Sequence, residues 1–551
     1  MFSNQKRKYL FILFICLLLS GILGVILVMQ PDFDFYSYHY SNVWAFFNNR
    51  INIDFMPNQA RSYINPTLDI INYLLIQKLN NHPFIYLFIS NLKYGILMFI
   101  AYLISDYVFV KNEIKNSAIL SVIFVLLLTP IIVFGIRMDC NDISIANLIL
   151  ISIYLQIRYL FNDNSLRTKM LILSALIMGF AIGLKNSAIS FVLPMVLCTV
   201  IYLKKDTKYL KTIIYMFFAG VLGFLIGGGW WLYIVWEHFG NPIFPYSNHI
   251  FKSPMADLDN YTLTEYAHLR LNNFWEYIIA PLIDTCERPY VGFESQYFDP
   301  KMRLSFEFII ITLLLYKFRA FKEKLSSYIK PEIIMIFIIY TVFAYYANAF
   351  ILGTLRYVMA LAVLCSIIII ALSLCYSVKI KEKIIYPLLI FVLIWSGYTY
   401  YFPIVSNAGY DKIKNIISAS KADIEDNSTV FCGNQTSCFT VPHQNSKVKY
   451  VAFAIPKQIK DKHTLFVEIV SVYKNYYYTS DYLEKKVKEV FDKEKSIYII
   501  FNPYSFIGDA DVYNESVKYY SDGKITKIKD CKRIDYNVLY KENYSIICKL
   551  K

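Results

Sequence analysis

Over most of its length this chain does not alternate apolar with polar residues. Apolar residues gather instead into long blocks, at 9–29, 84–107, 117–137, 143–160, 170–186, 188–203, 212–237, 305–317, 331–352, 357–377 and 385–403. A helix needs about 20 mostly apolar residues to cross a bilayer, and most of these blocks meet or approach that length. They predict a polytopic α-helical membrane protein with about eleven spans. Beyond Pro403 the pattern breaks up. A helical period at 410–421, strand-like runs at 448–454, 464–470 and 496–501, and a charged helical pattern at 481–494 predict a small α/β domain. The chain thereby divides into a membrane part, 1–403, and a tail, 404–551.

The polar breaks between blocks carry the topology. Excess Lys and Arg in short loops marks the cytoplasmic side. Alternate loops hold Lys6, Arg7 and Lys8; Lys111 and Lys115; Arg158, Arg167 and Lys169; Lys204, Lys205, Lys208 and Lys211; Lys317, Arg319, Lys322, Lys324 and Lys330; and Lys379, Lys381 and Lys383. This places the N-terminus inside and the tail outside. No small-residue cleavage site follows the first block, so an uncleaved anchor is expected. The outer segments are then 30–83, the tight turn at 137–142, the loop 238–304 and the tail; within the first, the apolar stretch 67–79 is too short to span and is expected along the interface.

Composition agrees. The chain is 551 residues long, 56% hydrophobic and 17% aromatic, with a mean hydropathy of +0.41. The net charge of +14 is spread over short loops, which fits membrane topology and speaks against nucleic-acid binding. The tail holds Cys432, Cys438, Cys531 and Cys548. An even number in an exported domain points to disulfides. Cys432 with Cys438 and Cys531 with Cys548 is the favoured pairing, which the sequence by itself does not fix. Cys16, Cys198, Cys365 and Cys375 lie within spans and read as small apolar fillers.

Candidate chemistry gathers at the outer ends of the spans. Directly after the first block comes Pro31-Asp32-Phe33-Asp34-Phe35-Tyr36-Ser37-Tyr38-His39. Asp139 and Asp142 occupy the tight outer turn, Lys185 ends the fifth block and Arg356 begins the tenth. Charges at membrane depth are costly unless paired or solvated, and so mark function by default. The plainer alternatives are that Asp32 and Asp34 only end a helix, and that Lys185 and Arg356 snorkel to lipid phosphates. Lys93, inside the second block, is a candidate for pairing with a carboxylate. Carboxylates and cations on one outer face suit a phosphate-bearing lipid: cations hold the phosphate and an aspartate takes a proton from an incoming hydroxyl. No P-loop, GxSxG, HExxH or zinc-type CxxC pattern occurs.

The first outer stretch, Asp34 to His39, resembles the D-x-x-x-Y-H signature of GT-C class membrane glycosyltransferases. That class includes bacterial relatives of protein O-mannosyltransferases and of the aminoarabinose transferase that modifies lipid A. Further stretches are similar in the same order: Asn141-Asp142-Ile143, Gly183-Leu184-Lys185-Asn186, Gly240-Asn241-Pro242-Ile243-Phe244-Pro245 with Asn248 and Phe251-Lys252-Ser253-Pro254, and Leu355-Arg356-Tyr357. The resemblance covers 1–403 and leaves the tail unexplained. It implies a bacterial plasma-membrane enzyme. Its donor would be a sugar on polyprenyl phosphate, and its acceptor an extracytoplasmic glycan, lipid or protein. Asp34 would be the general base, with inversion at the anomeric carbon. Asp142 would hold the acceptor, a metal or a basic partner; Lys185 and Arg356 would bind the donor phosphate. Asp32, Tyr38, His39, Asn241 and Tyr357 join the substrate-binding set, His39 orienting Asp34 or binding phosphate. Some relatives use a divalent ion and others do not, so a metal at Asp32, Asp34 and Asp142 stays open.

Rival readings are a polysaccharide polymerase or ligase, a lipid or sugar flippase, and a non-catalytic scaffold. The first usually places its key arginines and histidine in a late outer loop. The second calls for internal symmetry and broken helices at mid-membrane. The third has no need of clustered outer charges.

Overall fold

The computed structural model describes residues 4–29, 31–110, 112–127, 129–138, 141–161, 166–204, 209–258, 274–283, 300–351, 354–376, 413–434, 436–460, 480–502, 510–539 and 541–551. Asp139, the block 385–403, the strand expected at 464–470, the side chain of Cys438, and Lys111, Lys205, Lys208, Lys379, Lys381 and Lys383 lie outside the described residues.

Among the described residues seven helices are long and apolar enough to cross a membrane: Asn4–Leu27, Pro83–Val108, Asp142–Leu160, Arg167–Leu184, Asn186–Leu203, Tyr209–Phe239 and Pro331–Ile351. This is an integral membrane protein. Shorter apolar helices cover Ile114–Leu127 and Ala360–Cys375, and a further helix covers Pro300–Leu315. The block 117–137 is divided into helices Asn112–Leu127 and Pro130–Met138, because Pro130 has no N–H to continue the first ladder.

The chain forms two compact units. The first comprises Met1–Met29, Leu87–Gly229 and Thr264–Ser406. Its tightest pair is Arg167–Leu184 against the helix that starts at Tyr209. Glycines let the backbones touch: a Cβ on Gly179 would lie 1.9 Å from the Gly220 carbonyl oxygen, and one on Gly183 2.3 Å from that of Phe224. Small residues at such spacing are how helices approach closely where lipid removes the hydrophobic drive. Polar groups add to this. Gln156 donates to the Met195 carbonyl at 2.9 Å and accepts from the Tyr340 hydroxyl at 2.5 Å, while Ser152 and Ser174 bond across their helices at 2.8 and 2.9 Å.

The second unit comprises Gln30–Tyr86, Trp230–Leu263 and Asn407–Lys551. Its centre is a six-stranded mixed sheet of β1 (Ile417–Ala419), β2 (Thr429–Cys432), β3 (Lys449–Ala452), β4 (Ile497–Phe501), β5 (Cys531–Val538) and β6 (Lys541–Lys549), in the order β1-β5-β6-β4-β2-β3. β2 pairs in parallel with β3 and β4; β6 runs antiparallel to β4 and β5. Cys531 and Cys548 face each other across β5 and β6 and are joined by a disulfide; Cys432 is disulfide-bonded as well. Helix Asp481–Lys493 starts at Ser480, whose hydroxyl accepts from the Leu483 amide at 3.0 Å, and buries Leu483, Val487 and Phe491 against the sheet core. The helical period at 410–421 is overturned: 417–419 is β1, paired with Tyr536 to Val538. The short run has no cap and follows its neighbour on the sheet, since partners outweigh propensity in so short a segment.

The first outer loop is part of this unit. The Phe55 amide donates to the Tyr450 carbonyl at 3.0 Å and the Ala452 amide to the Phe55 carbonyl at 2.8 Å, adding one residue beside β3. Just before it, Arg50 and Asp54 form a buried ion pair, Nε to Oδ2 2.8 Å. Arg50 also donates to the carbonyls of Ser446 and Val448, and Asp54 accepts from the Tyr450 amide at 2.8 Å.

Candidate functional site

In the second unit, the chain leaves the first helix and makes a wide π-helical turn, Phe35–His39. Asp32 starts it: its carboxylate accepts from the Phe35 amide at 2.8 Å. Phe35 and Tyr36 anchor the turn against Phe439, and Tyr36 also meets Tyr536 of β5. The Tyr36 hydroxyl accepts from the Asn543 amide at 3.0 Å, and Lys541 lies 5.7 Å from the Tyr36 ring. Burial pulls the Lys541 ammonium below its ordinary pKa, against the attraction of Asp32.

This packing leaves Asp34 only 3% exposed, where an ionised carboxylate needs a counter-charge. Arg61 supplies it through an ion pair with Asp34 Oδ1. The guanidinium is itself set between rings, 5.1 Å from Phe33 and 5.6 Å from Tyr38. His39 turns to a different partner, Asp69, with Nδ1 to Oδ2 at 2.8 Å. Burial disfavours the charged imidazole. Asp69 outweighs that, with Asp34 and Asp32 further off, and the pKa of His39 lies above its ordinary value. A raised folded pKa means stability present below the unfolded value of about 6.5 and lost as the pH rises through the folded one. The stability gap between the wild type and His39→Gln is therefore expected to be widest in acid and to close with rising pH. Thermal unfolding across pH 5–9 measures it, and a gap that widened upward would show a neutral imidazole.

In the first unit, Asp142 is the first residue of helix Asp142–Leu160, where the helix dipole favours a carboxylate. It is 3% exposed. Lys185 Nζ lies 2.5 Å from Asp142 Oδ1 and donates to Asn141 Oδ1 at 3.0 Å. Arg356 Nε lies 3.8 Å from Asp142 Oδ2. Both cations flank Tyr357, at 5.2 and 5.4 Å from its ring. Local structure puts them there. Gly183 allows the close helix contact described above, and extended Lys185 ends that helix. Arg356 sits on the short 3₁₀ turn Leu355–Val358, reached through Thr354, whose carbonyl accepts from Asn348 at 3.0 Å. The Lys93 carbonyl accepts from Asn147 at 2.9 Å.

Asn241 is fully buried and shapes its own loop. It donates to the Tyr246 carbonyl at 2.9 Å and accepts from the Ile243 amide at 3.0 Å, while Asn248 holds Ser253 and Ala256 in the same way. Gly240, at φ +67°, ends the preceding helix in the left-handed conformation glycine adopts most readily.

A crystal structure of ArnT from Cupriavidus metallidurans bound to undecaprenyl phosphate matches 100% of this chain and 98% of its own, with a TM-score of 0.50 and 11% sequence identity. The chain has an ArnT-like fold. A second crystal structure of the same ArnT, in the apo state, gives a TM-score of 0.42 at 12% identity over 99% and 98% of the two chains. No family model and no curated protein sequence matches the chain.

Within the ArnT-like fold, sequence reasoning named Asp34 and His39 but not the residues that hold them, Arg61 and Asp69. Both lie in the first outer loop, and an unexplained charge in that loop was the available signal. A divalent ion does not fit the carboxylates present. Asp34 faces Arg61, Asp142 faces Lys185 and Arg356, and among the described residues no three His, Cys, Asp or Glu side chains gather as a metal site.

Proposed function

We propose that this protein is an inverting GT-C-type glycosyltransferase with about eleven spans, moving a sugar from polyprenyl phosphate to an extracytoplasmic acceptor. One observation carries the reading: the crystal structure whose fold spans this whole chain holds undecaprenyl phosphate, the lipid class such a donor requires. The basic inner loops support a cytoplasmic N-terminus and an outer tail.

Polyprenyl phosphate is a good leaving group, so protonation of the departing oxygen is not needed. The reaction lacks a strong nucleophile. As the acceptor oxygen bonds to the anomeric carbon, the bond from that carbon to the phosphate oxygen breaks, and the acceptor proton passes to Asp34. Arg61 orients the Asp34 carboxylate and balances its charge. Lys185 and Arg356 hold the phosphate, whose charge grows as it departs. Asp142 fixes those two cations in place while the site is empty of donor, and Tyr357 lies against both.

Purified protein in lipid should release undecaprenyl phosphate from a sugar-loaded donor only when acceptor is present. Lys185→Ala or Arg356→Ala should weaken binding of undecaprenyl phosphate by about 10- to 150-fold, as loss of a charge-assisted contact costs roughly 1.5–3 kcal/mol. Unchanged binding in both variants would leave snorkelling as the better account of these residues.

A further inference from the structure

The second unit contains a cavity of about 230 Å³ that includes neither Asp34 nor Arg61 nor His39. Its apolar walls are Trp44, Tyr63 and Trp231; its polar ones include Asn42, Asn58 and His238. Helix Ser41–Phe47 presents the first wall and helix Trp230–Phe239 the opposite one. The walls are fixed by their own bonds. Trp231 Nε1 donates to the Tyr63 carbonyl at 2.8 Å, Arg50 lies 5.4 Å from the Trp44 ring, and His238 is held between the Ile234 carbonyl at 2.9 Å and Asn52 Oδ1 at 2.7 Å. Such a pre-formed space, with aromatic faces and a few set polar groups, has the make-up of a small-ligand site.

Asn58 says what kind of ligand. It is 2% exposed. Its Nδ2 donates to Ser41 Oγ at 2.8 Å and to Asn42 Oδ1 at 2.9 Å. Both partners are committed as acceptors, because Ser41 donates to the Ser37 carbonyl and Asn42 to the Arg61 carbonyl. The orientation of the Asn58 amide is therefore fixed, and its Oδ1 accepts no hydrogen bond from the protein. A buried acceptor without a donor costs about 1–3 kcal/mol, so the wall is suited to a ligand that brings an O–H or N–H. An isoprenyl chain has no such hydrogen and would desolvate the polar wall without return. An anion is disfavoured as well: Asp54 and the Asn58 oxygen repel it, and Arg50 is already matched by Asp54. A sugar ring meets every requirement, with C–H faces for the aromatic walls and hydroxyl donors at its rim. The volume, below the roughly 300–1,000 Å³ of drug-sized sites, suits a single ring.

The same polar chain leads to the proposed base. Asn58 bonds to Asn42, Asn42 to the Arg61 backbone, and the Arg61 side chain to Asp34. We infer that this cavity is a saccharide subsite and that its occupant is a sugar ring of a glycan acceptor. The word acceptor rests on the glycosyltransferase reading above; the saccharide chemistry of the cavity does not.

The test uses the full chain in lipid nanodiscs and the methyl glycosides of glucose, galactose, mannose and N-acetylglucosamine, followed by saturation-transfer NMR. At least one should bind. Ala45→Phe, which fills the cavity, should abolish that signal, and Asn58→Ala, which leaves the space open, should weaken binding by about 2- to 10-fold. Ile234→Trp fills the cavity from the opposite helix should the first variant not fold. Undecaprenyl phosphate binding should match the wild type throughout. Failure of all four glycosides to bind overturns the inference, as does binding untouched by either filling variant. Farnesyl phosphate that competes, and is lost in the same variants, makes the cavity a lipid site and overturns it too. The two readings fail separately. Transfer activity with an acceptor KM unmoved in the filling variants removes the subsite and keeps the enzyme. Glycoside binding lost in those variants, in a protein that transfers no sugar, keeps the saccharide site and removes the enzyme.

Discussion

Asp34→Asn is expected to lower kcat for sugar transfer by about 100-fold or more while undecaprenyl phosphate binding stays near the wild-type level. Asparagine keeps the shape of the side chain and removes its basicity. A group that takes a proton only as the new bond forms contributes to the transition state and not to the bound ground state, so the loss falls on kcat. The ion pair with Arg61 adds a second arm. Arg61→Gln leaves the carboxylate in place but takes away the group that aims it, so kcat should fall by less than in Asp34→Asn. Asp32→Asn should cost less again, because Asp32 holds the turn through the Phe35 amide. Direct measurement of transfer in purified variants, with donor binding measured alongside, decides among these. Near-normal transfer by Asp34→Asn together with loss in Asp142→Asn would move the base to Asp142. Full activity in all three aspartate variants would end the glycosyltransferase mechanism.

The membrane helices were legible because length and apolarity are enough to state a span. What was less legible is how the outer segments associate. Phe55 pairs beside β3, and Arg50 reaches the Ser446 and Val448 carbonyls, nearly 400 positions away. No local pattern encodes such a pairing, and so a boundary at 403 looked natural while the compact unit also draws in Gln30–Tyr86 and Trp230–Leu263. In the tail, the alternation of β4 and the amphipathic face of Asp481–Lys493 could be read locally. The strand at 417–419 could not, since it exists only by its pairing with β5. The site divides in the same way. Asp34, Asp142, Lys185 and Arg356 stood out as charges at helix ends. Arg61 and Asp69 lie in an irregular loop, where periodicity says nothing about which way a side chain points. Asn241 belongs to a motif-like stretch whose conspicuous residues serve the loop itself.

Breaking the Arg50–Asp54 pair is expected to be the most damaging single change to the second unit. The two side chains are 3% and 4% exposed. Burial pushes the Asp54 carboxyl up, and Arg50 and the Tyr450 amide pull it back without fully offsetting burial. Arg50→Ala leaves that carboxylate buried with one amide as partner, and frees the Ser446 and Val448 carbonyls from their donors. Removing one member of a buried pair costs about 3–5 kcal/mol. In a thermal-shift measurement that is a fall on the order of 10 °C for a unit of this size. The pH dependence gives the cause away. Without Arg50, Asp54 loses the group that most favours its charged form, so its pKa rises further. Protonation then relieves the buried charge, and the deficit against the wild type should shrink as the pH falls. Arg50→Met with Asp54→Leu removes both charges and is expected to recover part of the loss. Recovery should stop short of full, because the Tyr450 amide and the two carbonyls still lack their partners. A deficit independent of pH, or a double variant no better than Arg50→Ala, would mean that lost packing over Trp44 and Tyr450, and not the stranded charge, sets the cost.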